Sequence, residues 1–228
     1  MIVSIHQPAY LPWLGYFDKI RRADTFVFLD NVQFQKSSFQ NRNRIRTKDG
    51  WIWLTVPVET KGRLYETPLR DIPINNRIGW RKKHVAALRT NYAKAPYGDR
   101  MLERTAPFLA RDWNFLADLC FEMLIDHLDA LKISTKVAKA SDMGDFSQSK
   151  SELILEICRR LGATRYLSGL LGRDYLDEAS FAAAGIEVIY QDYAHPTYRQ
   201  AYPGFEPAMG IVDALANAEC PADLLNIS

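Results

Sequence analysis

Along this chain the spacing of hydrophobic positions changes several times, and each change marks an element. Ile2-Val3-Ser4-Ile5 is short and apolar and reads as a buried strand, which His6-Gln7-Pro8 interrupts. Pro12 suits the first turn of a helix, where its missing N–H costs nothing. After it, Leu14, Phe17, Asp18, Ile20 and Arg21 follow the spacing of an amphipathic helix. Thr25-Phe26-Val27-Phe28-Leu29 is a second buried strand ending at Asp30-Asn31. Such a strand–loop–helix–strand unit belongs to an open parallel sheet, whose ligand crevice lies outside the carboxyl ends of the strands. His6, Gln7 and Asp30 are predicted to stand at those ends.

The next stretch, Gln33 to Ile45, is polar, with Phe34 and Phe39 set among Gln, Lys, Asn and Arg. It reads either as a surface loop or as a clamp for an anion, because Arg offers a planar fork of donors suited to phosphate or carboxylate. Ile45-Arg46 and Trp51 to Val56 suggest a hairpin closed by Lys48-Asp49-Gly50. Lys61-Gly62-Arg63 reads as a loop, and Leu69 to Ile74 as an edge strand ending near Pro73. Residues 79–130 are expected to be mostly helical: one helix begun by Trp80 to Leu88 and broken by Asn91 to Tyr97, with His84 partly off its apolar side, a short one from Arg100 to Ala106, and a long one from Asn114 to Leu131. His127 on the last reads as a packed or surface residue rather than a ligand.

From residue 132 the pattern is strand, helix, strand, helix, strand. Lys132 to Val137, Thr164 to Ser168 and Ile186 to Tyr190 are the strands. Ser149-Lys150-Ser151-Glu152 resembles a capping box before the first helix, and Gly162 and Gly185 end the two helices. Short spacing of this kind means a parallel sheet with right-handed crossovers. Joined to the opening unit, it gives one α/β domain over 1–228. Its parallel sheet has about five strands, with a mixed α+β insertion (a hairpin and helices) between about 40 and 130. The tail holds His195-Pro196-Thr197-Tyr198 and a helix around Gly210 to Asn217.

Composition narrows the function classes. A 228-residue chain with 47% hydrophobic and 25% charged residues is ordinary for a globular protein. A net charge of +2 calls for no nucleic-acid partner. The three cysteines, Cys120, Cys158 and Cys220, have no CxxC spacing, so neither a disulfide framework nor a thiolate metal site is expected. The four histidines lack HxxxH spacing, and no metal ligand is assigned. With a strand at the very start and no apolar run of about 20 residues, a cytoplasmic protein without membrane insertion is expected.

Three groups of residues carry candidate chemistry. His6 lies at a strand end ahead of a helix start, where free amides favour an anion and a histidine can serve as acid or base; a structural turn histidine is the plain alternative. Ser168-Gly169 with Gly172-Arg173 offers close backbone approach and one charge, or simply a tight turn. His195 with Tyr198 follows the last strand and can face the same crevice.

Ser4-Ile5-His6-Gln7-Pro8-x-Tyr10-Leu11-Pro12-Trp13-x-Gly15-Tyr16-Phe17-x-Lys19-Ile20 resembles the opening signature of the WbqC-like protein family. Asn41-Arg42-Asn43-Arg44-Ile45, Trp53 to Val58, Tyr166-Leu167-Ser168-Gly169 with Arg173 to Leu176, and His195-Pro196-x-Tyr198 also resemble it. The resemblance implies a bacterial protein of surface-polysaccharide (O-antigen) synthesis; some relatives carry names such as glycine transferase. A second likeness is to the Rossmann-like nucleotidyltransferase (HUP-like) fold, with a His-bearing loop after the first strand and a late Ser/Thr–Arg turn. Gly15 stands where that fold has a second histidine, so its HxGH motif is absent.

Together these suggest an aminoacyl or acyl transferase or ligase acting on an amino-sugar nucleotide, with ATP and Mg as the candidate cofactor. His6, Lys36, Arg44 and His195 would be its catalytic residues. Gln7, Tyr10, Trp13, Gly15, Asp30, Asn41, Arg42, Asn43, Ser168, Gly169, Arg173 and Tyr198 would bind a nucleotide or sugar nucleotide and an amino acid. A non-catalytic binding or scaffold protein of glycan assembly is the alternative, and the oligomeric state stays open.

Overall fold

The strands of the computed structural model, which describes residues 1–59 and 67–226, are β1 (Ile2–His6), β2 (Thr25–Phe28), β3 (Arg42–Thr47), β4 (Gly50–Thr55), β5 (Lys136–Lys139), β6 (Arg165–Ser168) and β7 (Glu187–Tyr190). The helices are α1 (Leu14–Arg21), α2 (Trp80–Tyr92), α3 (Gly98–Ala110), α4 (Leu116–Ala130), α5 (Lys150–Arg160), α6 (Glu178–Ala183) and α7 (Ile211–Asn217). The loop expected at Lys61-Gly62-Arg63 lies outside the described residues.

Five strands form one parallel sheet in the order β5-β2-β1-β6-β7, and β3 and β4 form a separate antiparallel hairpin. Alternation along the strands divides the core between the two faces. Phe26 and Phe28 pack with Leu14, Phe17 and Ile20 of α1 and with the inserted helices. Val3, Ile5, Val27 and Leu29 face the other way, onto Leu153 and Ile157 of α5 and Phe181 of α6. Each such side chain, fully buried, contributes roughly 1.5–3 kcal/mol. The strand order therefore turns back between β1 and β6, where helices on opposite faces diverge. Doubly wound sheets place their ligand crevice at this switch point.

The pairing registers show what happens there. β1 pairs with β2 as far as His6 opposite Phe28. With β6 it pairs only from Ile2–Arg165 to Ser4–Leu167, whereas β6 continues beside β7 to Ser168–Tyr190. The carboxyl ends of β1 and β6 thus part, leaving a fork between Ile5-His6 and Ser168.

Several expectations need correction. The hairpin is longer than predicted, Arg42–Thr47 against Gly50–Thr55, because the inward position at 43 is an asparagine whose polarity hides the alternation. Leu69 to Ile74 is no strand: Leu69–Asp71 is a 3-10 turn flanked by Pro68 and Pro73, which cannot donate to a ladder. β5 begins at Lys136, since Lys132 has a left-handed backbone (φ 55°) and still belongs to a turn. α2 runs on to Tyr92 and buries His84 with Trp80, Leu88 and Tyr92 at four-residue spacing. α3 spans Gly98–Ala110, longer than predicted. Ser149 occupies the N-cap of α5 without capping it. Pro12 lies outside α1, and its carbonyl accepts from Ile211 N at 2.8 Å. Among the described residues no helix is long and apolar enough to cross a membrane.

Candidate functional site

At the fork, His6 is exposed to solvent. Its Nδ1 lies 2.9 Å from the Gln7 carbonyl. A carbonyl only accepts, so the ring proton sits on Nδ1 and Nε2 keeps its lone pair. Tyr16 of α1 meets the ring edge-on at 4.8 Å and aims its hydroxyl at the same carbonyl, 3.3 Å away. Protein atoms crowd the remaining sides. That crowding, and after it the Lys19 ammonium, pushes the His6 pKa down, to about 3. His6 is therefore neutral at pH 7, and its Nε2 lone pair is available at reduced basicity.

Lys19 is the residue that sequence reasoning missed. It is 4% exposed, and its Nζ donates to the Ile5 carbonyl at 3.1 Å. Side chains on a helix lean toward its N-terminus, so from α1 Lys19 reaches toward the carboxyl end of β1. Nothing in the local pattern marks it as inside, yet every residue of α1 from Leu14 to Ile20 is buried. Desolvation lowers its pKa to about 7.

On the far side of the fork, Ser168 is buried and turns its hydroxyl to the Gly169 carbonyl at 3.0 Å. A Cβ on Gly169 would meet nothing within 4 Å, so the backbone there is open to an approaching group. Gly172 is different: a Cβ there would lie 2.0 Å from Ser168 Oγ. The turn that follows is a 3-10 helix, Leu170–Asp174, and exposed Arg173 lies over the Tyr190 ring at 4.8 Å.

Gln7 carries the fork toward the hairpin. Its Oε1 accepts from Gln40 Nε2 at 2.7 Å, and Gln40 Oε1 accepts from Gln35 N at 2.7 Å. This clips the loop bearing exposed Lys36 beside the first strand. Arg42 binds the Ser37 carbonyl of that loop and lies over Trp53 at 4.3 Å. Arg44 donates to the Ala208 carbonyl at 3.2 Å and lies over Trp51 at 5.1 Å. Neither forms an ion pair among the described residues, and both have a buried Nε without a partner. They stand on a strand, two residues apart on one face.

The tail closes the site from above α1. Gln191 N donates to the Ser168 carbonyl, and its side chain donates to Gly15 O and Asp18 Oδ2, each at 2.8 Å. His195 stacks on Trp13 (6.0 Å, 11° between planes) and on Tyr198 (6.4 Å). Its Nδ1 lies 2.9 Å from the Pro196 carbonyl, the device used at His6, and desolvation lowers its pKa. Trp13 in turn lies on Gly15, where a Cβ would fall 2.4 Å from the indole. The helix start that was expected to offer free amides is thus roofed by an aromatic stack. Tyr198 gives its hydroxyl to buried Asp213 at 2.7 Å.

Four expected ligand contacts are committed to the fold. Tyr10, expected to stack on a base, is fully buried with its hydroxyl 2.9 Å from His84 Nδ1. Asp30 accepts from Ser141 N and Oγ at 2.9 and 2.7 Å. Asn41 donates to the Val56 carbonyl and Asn43 to that of Leu11. Two surface hollows, of about 430 and 460 Å³, are lined by other residues, among them Glu152 and Arg159 in one and Asp118 and Lys139 in the other.

Residues 7–223 match the model of the WbqC-like protein family. The chain is 37% identical over 223 residues to the uncharacterized protein Rv1507c of Mycobacterium tuberculosis, covering 96% of this chain and 95% of that one. No solved structure matches it. The matched span takes in the loop after β1, the hairpin, the turn after β6 and the tail that roofs α1, which is to say nearly every part that builds the fork; this chain belongs to the WbqC-like protein family.

Proposed function

We propose that the chain is a transferase or ligase that joins an aminoacyl or acyl group, glycine being the first to try, to an amino-sugar nucleotide by way of an ATP-derived adenylate. The observation that carries this reading is the neutral, solvent-facing His6 at the switch point of a doubly wound sheet, the place where such sheets take nucleotides. In the proposed reaction a carboxylate oxygen attacks the α-phosphorus of ATP and pyrophosphate leaves. The sugar amine then attacks the acyl carbon and AMP leaves. His6 Nε2 takes the proton that the amine sheds. Arg42, Arg44 and Lys36 face developing negative charge, Gly169 and Arg173 contact the nucleotide, and Trp13 and His195 offer a stacking surface. Ser168, facing its own turn, shapes that contact. The HUP-like analogy lacks its second histidine, Gly15 standing in that place, and fold alone does not set function. Among the described residues no three His, Cys, Asp or Glu side chains gather as a metal site, so magnesium would be held mainly through the phosphates of ATP.

The test is to mix the purified protein with ATP, glycine and a panel of amino-sugar nucleotides and follow AMP and pyrophosphate. Turnover is expected, with His6→Ala reducing it by about 10²–10⁴, the usual weight of a general base. Full turnover by His6→Ala would remove that role. A second reading, a binding protein without chemistry, draws on Tyr10, Asp30, Asn41 and Asn43 all being engaged by the fold. It predicts a rise in Tm with nucleotide and no product.

A further inference from the structure

Lys19 presents an unmet requirement. An ammonium has three donors, and among the described residues the Ile5 carbonyl is the one acceptor Lys19 has, with no carboxylate within ion-pair distance. Neighbouring Asp18 cannot serve: its carboxylate is taken by Arg21, Arg22 and Gln191. Buried polar groups are nearly always satisfied, and a lysine 4% exposed without a counter-charge is a costly arrangement unless something completes it. The place is also particular. Ile5 is the residue at which β1 and β6 stop pairing, so the ammonium sits in the mouth of the fork, beside exposed His6.

We infer that Lys19 is an anion anchor: its ammonium receives a phosphate or carboxylate oxygen of a small molecule lodged between the ends of β1 and β6. This rests on the fork being the ligand site proposed above, and it deepens that reading by naming the group that meets the ligand's charge. The anion supplies acceptors for the two donors that Ile5 leaves free, and Gly169, where a Cβ would meet nothing within 4 Å, leaves space beside the end of β6. The other ionisable groups around the fork do not compete for it. His6 on β1 is held neutral, and Tyr16 on α1 and Cys120 on α4 are both pushed up by burial and stay protonated. An anion bound here keeps Lys19 charged, so its pKa rises from about 7 on binding.

The experiment uses the full chain and inorganic pyrophosphate as probe, with no turnover required. Calorimetry should show binding by the wild type, and Lys19→Met should weaken it about 10- to 100-fold, the factor a hydrogen bond to a charged group carries. In parallel, the Lys19 side chain is titrated by NMR in protein carrying ¹³C-labelled lysine; pyrophosphate should raise its midpoint by at least about one unit. The NMR arm decides the matter even where Lys19→Met fails to fold. Equal pyrophosphate affinity in the variant, or a midpoint unmoved by saturating pyrophosphate, overturns the anchor while leaving the transferase reading to its own assay. A wild type that takes up no pyrophosphate overturns it as well. Binding with no turnover on any amino-sugar nucleotide upholds the anchor and counts against the transferase reading.

Discussion

At Gly15 two small effects of opposite sign meet. Alanine at a helical position is favoured over glycine by up to about 1 kcal/mol. Yet a Cβ here would lie 2.4 Å from the Trp13 indole, closer than any contact allows. The obstacle is the far end of a side chain rather than backbone, so the indole can swing away, giving up its stack on His195 and the edge contact with Tyr193. Aromatic pairs of this kind contribute about 0.5–1.5 kcal/mol each. Gly15→Ala should therefore lower overall stability by up to about 2 kcal/mol while exposing Trp13. The check is the difference in tryptophan emission between the two proteins, repeated in a Trp13→Phe background, where it should vanish. An unchanged spectrum would mean that the indole does not rest on the glycine. The same reasoning gives this glycine a role that needs no ligand: it makes room for the ring roofing the start of α1.

Asp30 sorts structural from functional carboxylates at the level of elements. It stood in the sequence at a predicted strand end, and position alone made it a ligand candidate. In the fold it is 3% exposed and ties the end of β2 to the turn after β5 through Ser141. Asp30→Ala removes two charge-assisted hydrogen bonds and leaves Ser141 N–H without its partner, so a loss of about 2–4 kcal/mol is expected in urea unfolding. Ser141→Ala, which keeps the backbone bond, should cost about 1–2 kcal/mol. Near-native stability in Asp30→Ala would free the carboxylate for another role. The sequence did show a five-stranded parallel sheet and the strand-end positions of His6 and Ser168, because β1, β2, β6 and β7 carry short apolar runs; the strand expected over Lys132 to Val137 overlaps β5, Lys136-Val137-Ala138-Lys139, at its first two residues alone. It did not show which polar side chains at those ends were already engaged. Asp30, Asn41, Asn43 and Tyr10 find their partners on segments 15 to 111 residues away, and local pattern carries nothing about such pairs. Lys19 escaped for the opposite reason, since lysines on helices usually face water and nothing local marked this one as inside.

Over the whole molecule, buried neutral histidines set how stability responds to acid. His84 and His127 are 4% and 1% exposed. Desolvation lowers their pKa values to about 4 and about 3, with Arg104 adding to the effect at His127. Unfolded, each would titrate near 6.5, so below that pH the unfolded chain binds protons that the folded chain refuses. Stability then falls as pH drops from about 6.5 toward 4, and it is fully present above 6.5. At pH 5 each histidine costs about 2 kcal/mol relative to pH 7, about 4 kcal/mol together, against a typical total of about 5–15 kcal/mol. Asp213, raised by burial, works in the other direction, over the pH range between the ordinary carboxylate value and its own raised one. Lys19 acts on the alkaline side: folded it loses its proton near 7, unfolded near 10.5, so stability climbs with pH between those values. The molecule should thus be most stable somewhat above neutral pH, with its urea midpoint falling clearly between pH 7 and pH 5. His127→Phe keeps an aromatic ring against Phe17, which His127 meets edge-on at 6.1 Å, and removes one titrating group. It also removes a buried Nδ1 that has no hydrogen-bond partner, so it should at least match wild type at pH 7 and lose about 2 kcal/mol of the decline toward pH 5, the share of one histidine. Midpoints that coincide at the two pH values in wild type, or a full decline retained in His127→Phe, would show that these rings are protonated inside the fold and that the core around α2 and α4 admits the charge.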